Sequence, residues 1–405
     1  MSSALEVTVA IVGAGPVGAT LAAALAAEGI RAAVIDAQPL PPMELPAFDG
    51  RCYAIAAGSR PVLERAGVWQ RLPEPPCPIE TIRVQDGEPG EAPSPLSLTF
   101  RARESGCEAF GWMVEARSLR VALNARLPGL PALSVFAPAA LRLATRSEEG
   151  VLIELTTGQR IAARLLVAAE GRGSPLRRAA GIPTTGLDYR QWGLVGAFAH
   201  ERPHRNTALE QFLPNGPFAQ LPLAHAPEGA PFPHASSFVW SDRSEIAQRM
   251  LALDEEAFSR ELARRLGGAL GAVRAIGRRW SYPLSALHAH RYVDVRLALV
   301  GDAAHGIHPI AGQGLNLGLR DAETLARLVA EALAAGEDPG GPRLLARYQA
   351  ERRPAALLML GATHVLERLF GNRIPPLRLA RRVGIAAVDR IAPLKRGFAR
   401  VAMGL

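Results

Sequence analysis

The chain has 405 residues, 48% of them hydrophobic and 21% charged, which provides enough apolar material for more than one domain and excludes extended disorder. Its net charge of +8 is concentrated in residues 371–405, where eight basic residues stand against one acid, so we expect a basic appendage and no nucleic-acid-binding face. The three cysteines form no CxxC pair, and the nine histidines have no matching cysteine or carboxylate cluster, which argues against a disulfide framework and against a metal site.

The first element is an uncharged stretch, residues 7–27, that hydropathy alone would assign to a membrane. Three glycines and a proline interrupt its middle, and an acid stands before it where a signal peptide would carry a base. We therefore expect a folded start and a cytoplasmic protein.

Residues 7–37, "VTVAIVGAGPVGATLAAALAAEGIRAAVIDA", predict a strand, a glycine turn, a helix and a second strand. Gly13 permits the tight turn, Gly15 lets a pyrophosphate approach the backbone, and Gly18 lets the helix and strand pack closely. Phosphates would bind at the helix N-terminus. Asp36 would accept hydrogen bonds from ribose hydroxyls, and its charge disfavours NADP. The motif predicts a dinucleotide and leaves FAD and NAD open; a turn that only packs would not explain Asp36.

Two later strands, "ARLLVAAEG" and "VRLALVGDAAHGIHP", end in Glu170-Gly171 and Gly301-Asp302. Ligands bind at the carboxyl ends of strands in open α/β sheets. Either ending alone would be a common turn, but together with the first motif they indicate one extended cofactor. Between them, "WGLVGAFAH", "TALEQFL", "FAQLPL" and "SSFVWS" are short β-like runs.

The run "HPIAGQGLNLGLRD" (308–321) precedes a helix that should extend from Leu315 to about Ala335 and stop at Gly336. Bare backbone N–H groups of residues 312–316 would face a flat ring, and the glycines avoid side-chain clashes. A reduced flavin carries negative charge near N1 and the C2 carbonyl, which a helix N-terminus would stabilise. Asp302 would hydrogen-bond the ribityl chain. A loop that merely caps the helix is the alternative.

The C-terminal end predicts an amphipathic basic helix. Its apolar stripe consists of Leu394, Phe398, Val401 and Leu405, and the basic residues off the stripe are Lys395, Arg396 and Arg400. Such a helix can lie on anionic lipid. A packing or oligomerisation helix requires the same stripe and is the alternative.

Taken together, these motifs resemble the FAD-dependent aromatic hydroxylases with one Rossmann domain, and most closely the ubiquinone-biosynthesis hydroxylases (UbiH/UbiF-like). The family signature is His-Pro, an aliphatic residue and Ala-Gly-Gln-Gly, followed by Asn, Gly and Asp at the positions of Asn316, Gly318 and Asp321. "GPFAQLPL", "SFVWS" and the ending "DRIAPLKRGFARVAMGL" are also similar. The resemblance covers essentially the whole chain.

The resemblance implies an α/β fold with a FAD-binding Rossmann-like domain, an inserted antiparallel β-sheet substrate domain and a C-terminal helical tail. The FAD-binding domain would comprise residues 1–75, 108–181 and 284–336. The substrate-binding sheet would comprise residues 76–107 and 182–283. Residues 337–405 would form the helical region with its basic amphipathic tail.

The resemblance also carries over residues near the cofactor. Arg51 in "DGRCYAI" and Arg117 in "VEARSLRVAL" match arginines that the family places there. The chain departs from the family at Ala116, where Asn is common, and at Glu170, usually Asp, whose extra methylene would shift a pyrophosphate or nicotinamide contact. The predicted cofactor-binding residues are Gly13, Gly15, Gly18, Asp36, Arg51, Arg117, Glu170, Asp302, Pro309, Gly312, Gln313, Gly314, Leu315 and Asn316.

Enzymes of this family reduce FAD with NAD(P)H and transfer one oxygen atom of O2, through a flavin C4a-hydroperoxide, to an electron-rich phenol ring. The resemblance therefore implies hydroxylation of a polyprenylated phenol in ubiquinone biosynthesis. NAD(P)H would bind transiently, because no second Gly-x-Gly-x-x-Gly is present. Pro222 and Trp240 are expected to line the substrate cavity. No catalytic base is identified: Tyr189, Tyr282 and His305 are expected to be structural.

A membrane-embedded substrate would suit the basic tail, which would bring the protein to the inner membrane surface or to other ubiquinone-biosynthesis proteins. A hydroxylase of a soluble phenol, a flavin-dependent reductase of a prenyl lipid and a non-enzymatic protein that keeps FAD for stability are the alternatives. A flavin halogenase is disfavoured, because it needs a central lysine and a WxW motif, whereas the only lysine here is Lys395.

Overall fold

The computed structural model describes residues 4–40, 48–90, 97–308 and 312–370, together with Gly397 and Met403. The strands within these residues are β1 (Leu5–Val12), β2 (Ala32–Ile35), β3 (Cys52–Ala56), β4 (Cys77–Pro78), β5 (Thr81–Asp86), β6 (Ser97–Arg101), β7 (Gly111–Glu115), β8 (Leu133–Phe136), β9 (Leu141–Arg146), β10 (Val151–Leu155), β11 (Arg160–Ala168), β12 (Thr184–His200), β13 (Thr207–Leu213), β14 (Gly216–Pro222), β15 (His234–Arg243), β16 (Val273–Ala289), β17 (Val293–Asp294), β18 (Leu297–Leu299) and β19 (His305–Gly306). The α-helices are α1 (Pro16–Ala27), α2 (Arg60–Arg65), α3 (Ala116–Arg126), α4 (Pro175–Ala179), α5 (Ser244–Ala252), α6 (Glu255–Leu266), α7 (Gln313–Ala334) and α8 (Pro342–Phe370).

The first sheet is built on parallel strands that read as continuous apolar runs. Its strand order is β17-β18-β11-β1-β2-β8, and β10 and β9 extend it beside β11. β1 is parallel to β2 and β11, and β18 is parallel to β11. Such strands are apolar throughout because both faces of the sheet are covered, and Val9, Ala10 and Ile11 are fully buried. Because β1, β11 and β18 are parallel, their carboxyl ends lie at the same edge of the sheet.

The uncharged N-terminal stretch is β1, a glycine turn and α1, as predicted. None of the described helices has the length and apolar character needed to cross a bilayer. The helix expected from Leu315 to about Ala335 is α7, which begins two residues earlier. Gly336 follows it with a φ of +69°, a left-handed conformation that glycine adopts readily at a helix end.

The second sheet has the order β19-β16-β12-β15-β14-β13-β5-β6 and is antiparallel except where β13 pairs with β5. α5 and α6 cover one of its faces, where Phe238, Trp240 and Phe258 form part of a buried core. The other face lines a cavity. A small, separate third sheet has the order β3-β7-β4. The mixed architecture confirms the predicted α/β class with an inserted, mainly antiparallel sheet.

Strand alternation decides which residues of β14 and β15 reach the cavity. Ala219 and Val239 line it, whereas Trp240 is buried against α6 on the opposite face. Our expectation that Trp240 lines the cavity was wrong, because the two faces of this sheet are both apolar and only α5 and α6 distinguish them. Pro222 is likewise not among the cavity-lining residues.

The proposed domain boundaries stay a prediction. The second sheet draws its strands mostly from the two ranges assigned to the substrate domain, but β16 continues past residue 283 to Ala289. β19, from the range assigned to the FAD-binding domain, pairs with β16 and so joins the second sheet. The residues that define the predicted basic tail lie outside the described residues; of that segment the structure describes only Gly397 and Met403.

Candidate active site

A cavity of about 2050 Å³ lies between the two large sheets and extends to α7 and α8. Sites for one drug-sized ligand usually measure roughly 300–1,000 Å³, so this one has room for an extended cofactor and a second molecule. Gly15, Asp302 and Gly314 line it at the edge of the first sheet. The second sheet contributes a mainly apolar wall. The cavity therefore joins the predicted cofactor motifs to a separate apolar compartment.

The turn between β1 and α1 leaves backbone groups open toward this cavity. Gly13 has a φ of +107°, and a Cβ there would lie 2.4 Å from the carbonyl oxygen of Ala169. A Cβ on Gly18 would lie 2.0 Å from the carbonyl oxygen of Gly13, so both positions require glycine for packing. At Gly15, by contrast, a Cβ would meet no atom within 4 Å. α1 has no side-chain cap at this position, so its free N–H groups can receive a phosphate.

Asp36 shapes the same turn from the end of β2. Its carboxylate accepts hydrogen bonds from the backbone N–H of Ala14, at 2.7 Å, and of Gln38, at 2.9 Å. Asp36 is not among the cavity-lining residues. Its contact with a ribose stays a prediction.

The carboxylate of Glu170 forms hydrogen bonds with residues that follow it closely in the chain. Its carboxylate accepts hydrogen bonds from the hydroxyl of Ser174 and from the backbone N–H of Leu176, at 3.2 Å. Burial raises the pKa of Glu170 above its ordinary value, which these hydrogen bonds only partly oppose. The neighbours Ala169 and Gly171 line the cavity and Glu170 does not. Its side chain thus holds the start of α4, and a contact with the cofactor stays a prediction.

Arg172 is a cavity-lining residue that the sequence analysis missed. Its Nε donates to Asp302 at 3.0 Å, and its Nη1 donates to the carbonyl and hydroxyl oxygens of Ser285 at 2.9 and 2.7 Å. Because Asp302 follows β18 and Ser285 lies in β16, Arg172 connects the two large sheets at the cavity. Its position directly after Glu170-Gly171, at a strand end already singled out, was the available signal.

The start of α7 is held by the side chain of Asn316. Its Oδ1 accepts from the N–H of Ala56 at 2.8 Å, and its Nδ2 donates to the carbonyls of Ala54 and Gly312, at 2.7 and 3.0 Å. Asn316 therefore fastens α7 to β3, in addition to its predicted backbone role. A Cβ at Gly314 would meet no atom within 4 Å, which leaves room for a flat ring.

The rest of this segment matches the predicted open helix end. Gly312 has a φ of +63° and provides no side-chain cap, and the first turn of α7 carries no acid. Gln313 and Leu315 also line the cavity. Pro309 lies outside the described residues.

Asp321 holds α7 against the strand end behind the cavity. It is fully buried and accepts from the imidazole Nε2 of His305 at 2.6 Å, the Nε of Arg352 at 2.8 Å and the N–H of Gly301 at 2.9 Å. Burial opposes its ionisation, but His305 and Arg352 together hold the pKa of Asp321 below its ordinary value. This network is consistent with the structural role expected for His305.

The two predicted arginines differ in placement. Arg51 lines the cavity, pairs with Asp49 at 2.6 Å and lies 4.4 Å from the ring centroid of Trp280. Arg117 is not among the lining residues, and its Nε donates to Glu115 at the start of α3. Of the two, only Arg51 is positioned to contact a molecule in the cavity.

These features fit FAD. The uncapped start of α1 can hold a pyrophosphate, the half-exposed carboxylate of Asp302 can accept from hydroxyls, and the uncapped start of α7 can bind the negative edge of a reduced ring. Adding a Cβ at Gly15 or Gly314 would fill open space rather than strain the fold, so these glycines keep room for a ligand.

Comparison with known proteins gives the same result. Residues 6–363 match the family described as FAD binding domain. The ubiquinone hydroxylase UbiL of Rhodospirillum rubrum is 48% identical over 98% of this chain and 89% of its own length. The chain belongs to the ubiquinone-biosynthesis hydroxylase family. The 3-demethoxyubiquinol 3-hydroxylase of Escherichia coli is 33% identical over 98% of both chains.

Solved structures extend the likeness to three dimensions. PqsL of Pseudomonas aeruginosa, crystallised with 2-aminobenzoylacetate, superposes with a TM-score of 0.76 at 25% identity, over 95% of this hydroxylase and 100% of PqsL. The comparisons confirm that the protein is an FAD-dependent aromatic hydroxylase.

When bound, FAD takes electrons from NAD(P)H and uses O2 to deliver one oxygen atom to the aromatic ring. The protein must bind and orient both molecules and keep water away from the reacting centre. The backbone at the starts of α1 and α7 would hold the cofactor, while the apolar wall of the second sheet would orient the ring.

Proposed function

We propose that this hydroxylase adds oxygen to the aromatic ring of a polyprenylated phenol, or of a quinone precursor, during ubiquinone biosynthesis. One observation carries the proposal: the apolar compartment of the cavity reaches an exposed apolar rim on α8. Leu357, Leu358 and Val365 all line the cavity, yet Leu358 is 71% and Val365 62% exposed. Exposed apolar side chains grouped at a cavity mouth mark a site for an apolar ligand. A prenyl chain is such a ligand.

The spacing of the rim supports a path for a long chain. Leu358 and Val365 are seven residues apart and therefore lie on the same face of α8. A prenyl chain that leaves the cavity would pass along this face while the ring stays inside. The names of the relatives, a ubiquinone hydroxylase and a 3-demethoxyubiquinol 3-hydroxylase, support the same substrate class.

We also infer that the α8 rim faces the membrane surface, where a prenylated substrate is dissolved. Contact of the basic C-terminal tail with that surface, or with other ubiquinone-biosynthesis proteins, stays a prediction. Co-sedimentation with vesicles of anionic lipid would test both proposals. Leu358→Glu tests the contact of the α8 rim, and a chain shortened after residue 370 tests the contact of the tail.

A chain-length series tests the substrate class. The FAD-loaded protein receives NAD(P)H, O2 and phenols that carry no, two or three isoprene units, and mass spectrometry detects products with one added oxygen. We expect kcat/KM to rise with chain length. Leu358→Glu should reduce the preference for the prenylated phenols about tenfold. Ala346→Glu is the matched control, because Ala346 is exposed on α8 and outside the cavity.

Each alternative gives a different result. Equal kcat/KM along the series would indicate a soluble phenol as substrate. Reduction of a double bond without O2 uptake would indicate a prenyl-lipid reductase, and FAD that is never reduced would indicate a non-enzymatic protein. In the native host, deletion of the gene should cause a prenylated precursor lacking one ring oxygen to accumulate, and an unchanged quinone pool would contradict the proposal.

A further inference from the structure

Glu210 is an isolated carboxylate on the wall of the apolar compartment. Ala208, Leu209, Glu210 and Phe212 of β13 line the cavity. By strand alternation, Ala208, Glu210 and Phe212 share one face of the sheet. Among the described residues, Glu210 is the only carboxylate that the second sheet contributes to this wall. The sequence alone identifies no base for the phenol and places Glu210 only within a β-like run.

The neighbours of Glu210 cannot neutralise it. Its partners in register are Ala219 on β14 and Val84 on β5, and both also line the cavity. Beyond the backbone pairing of the sheet, no hydrogen bond or ion pair joins the carboxylate of Glu210 to another described residue. A carboxylate without partners in an apolar wall costs free energy, and groups placed at such a cost are concentrated at functional sites. The missing partner is therefore a group that enters with the substrate.

We propose that Glu210 contacts the ring hydroxyl of the substrate and accepts its proton. The inference rests on the proposed function, since the phenolic hydroxyl of a prenylated phenol supplies the hydrogen-bond donor that the wall lacks. Glu210 would thus be a catalytic residue that touches the substrate, and it would also fix which way the ring faces.

In this step the proton moves from the phenol oxygen to the carboxylate of Glu210 and later returns. The phenolic O–H bond breaks, a new O–H bond forms on the carboxylate, and the electron pair stays on the phenol oxygen. That charge spreads to the ring carbons beside and opposite the oxygen, which makes them better nucleophiles toward the oxygen atom being delivered. When the ring becomes aromatic again, the hydrogen of the oxygenated carbon leaves as a proton to solvent. Glu210 then returns its proton to the phenol oxygen.

The surroundings of Glu210 suit it to this transfer near neutral pH. Burial raises the pKa of Glu210 from 4.5 to about 7. A phenol has an ordinary pKa of about 10. The pKa difference between the phenol donor and the carboxylate acceptor therefore falls from about 6 to about 3 pH units. A smaller difference makes the transfer less uphill. As the pH falls below about 7, a growing fraction of the carboxyl is protonated and unable to act as a base.

Other charged groups lie away from Glu210. On β5, Arg83 points to the opposite face by alternation. Asp86 pairs with Phe212, two positions beyond the Glu210–Val84 pair, and is not among the cavity-lining residues. The nearest residues of β14 are uncharged. The charged residues that line the cavity elsewhere are Arg51, Arg172, Asp302 and Arg320.

The test compares Glu210→Gln, which keeps the shape but cannot take a proton, with Glu210→Asp and wild type. The substrate is 2-geranylphenol and the enzyme is loaded with FAD. At pH 8, Glu210→Gln should lower kcat/KM by about 100-fold, mostly through kcat, and should abolish the decline that wild type shows below about pH 7. The kcat/KM of Glu210→Asp should be at least tenfold higher than that of Glu210→Gln. Glu256→Gln is the matched control, because Glu256 is 78% exposed on α6.

A binding measurement tests the contact without turnover. With 2-geranyl-4-nitrophenol, whose phenolate absorbs visible light, the bound phenol should show a larger phenolate fraction in wild type than in Glu210→Gln at pH 7–8, where the carboxylate can take its proton. Equal ionisation, together with kcat/KM within threefold of wild type and an unchanged pH profile, would overturn the role of Glu210. If wild type itself fails to hydroxylate any prenylated phenol, the proposed function fails, and the proposed proton donor fails with it.

Discussion

Replacing Asp321 by asparagine should destabilise the protein strongly, because a buried guanidinium would lose its counter-charge. Asp321 accepts three hydrogen bonds, from His305, Arg352 and the N–H of Gly301. Asparagine keeps the shape but offers one acceptor oxygen and turns an NH2 group toward another donor. Breaking a buried ion pair from one side typically costs about 3–5 kcal/mol.

The expected change in melting temperature follows from the chain length. An unfolding entropy of about 2.1 cal/mol/K per residue gives about 0.85 kcal/mol/K for a chain of 405 residues. A loss of about 3–5 kcal/mol therefore lowers Tm by about 4–6 °C. Differential scanning calorimetry of the FAD-loaded protein measures this shift.

Two further variants show whether the charge is the cause. Arg352→Met alone should also destabilise, and combining it with Asp321→Asn should cost less than the sum of the two single changes. Glu323→Gln lies on the same helix but breaks a partly exposed ion pair with Arg65, so its shift should stay below about 1 °C. An Asp321→Asn protein that melts within 1 °C of wild type, or strictly additive effects, would refute the reasoning.

Gly13→Ala should abolish FAD binding through a disturbed fold, since its Cβ would lie 2.4 Å from a carbonyl oxygen. Gly15→Ala should keep its circular dichroism spectrum and weaken FAD binding at least tenfold; unchanged flavin content would rule out a phosphate at that position. Arg172→Met should weaken FAD binding and speed proteolysis between the sheets, and Arg172→Lys should recover only part of both, because lysine cannot bridge Asp302 and Ser285 at once. Since burial raises the pKa of Glu210, folding favours its protonated form, and stability is lost as pH rises toward 7. Glu210→Gln should accordingly raise Tm by about 1–3 °C at pH 8 and leave it nearly unchanged at pH 4, below the ordinary pKa of 4.5, and equal shifts at both pH values would contradict the assignment.

The cofactor motifs could be predicted from sequence because their demands are local. The turn at Gly13 needs a positive φ and the close approach at Gly18 excludes a Cβ, so the residue types at these positions reveal the geometry directly. The extent of α7 followed in the same way from its apolar stripe and its flanking glycines. The family signature then supplied the fold and FAD, which the comparisons confirmed.

Only the tertiary structure determined which side chains of the second sheet face the cavity and which long-range contacts Arg172 forms at its edge. Both faces of the second sheet are apolar in sequence, so periodicity alone could not say that Trp240 meets α6 while Glu210 faces the cavity. Arg172 bridges Asp302 and Ser285 over more than 100 residues of chain. Such contacts depend on which strands become neighbours and which helices cover them. That choice is made by the burial of the whole core, and no single segment contains it.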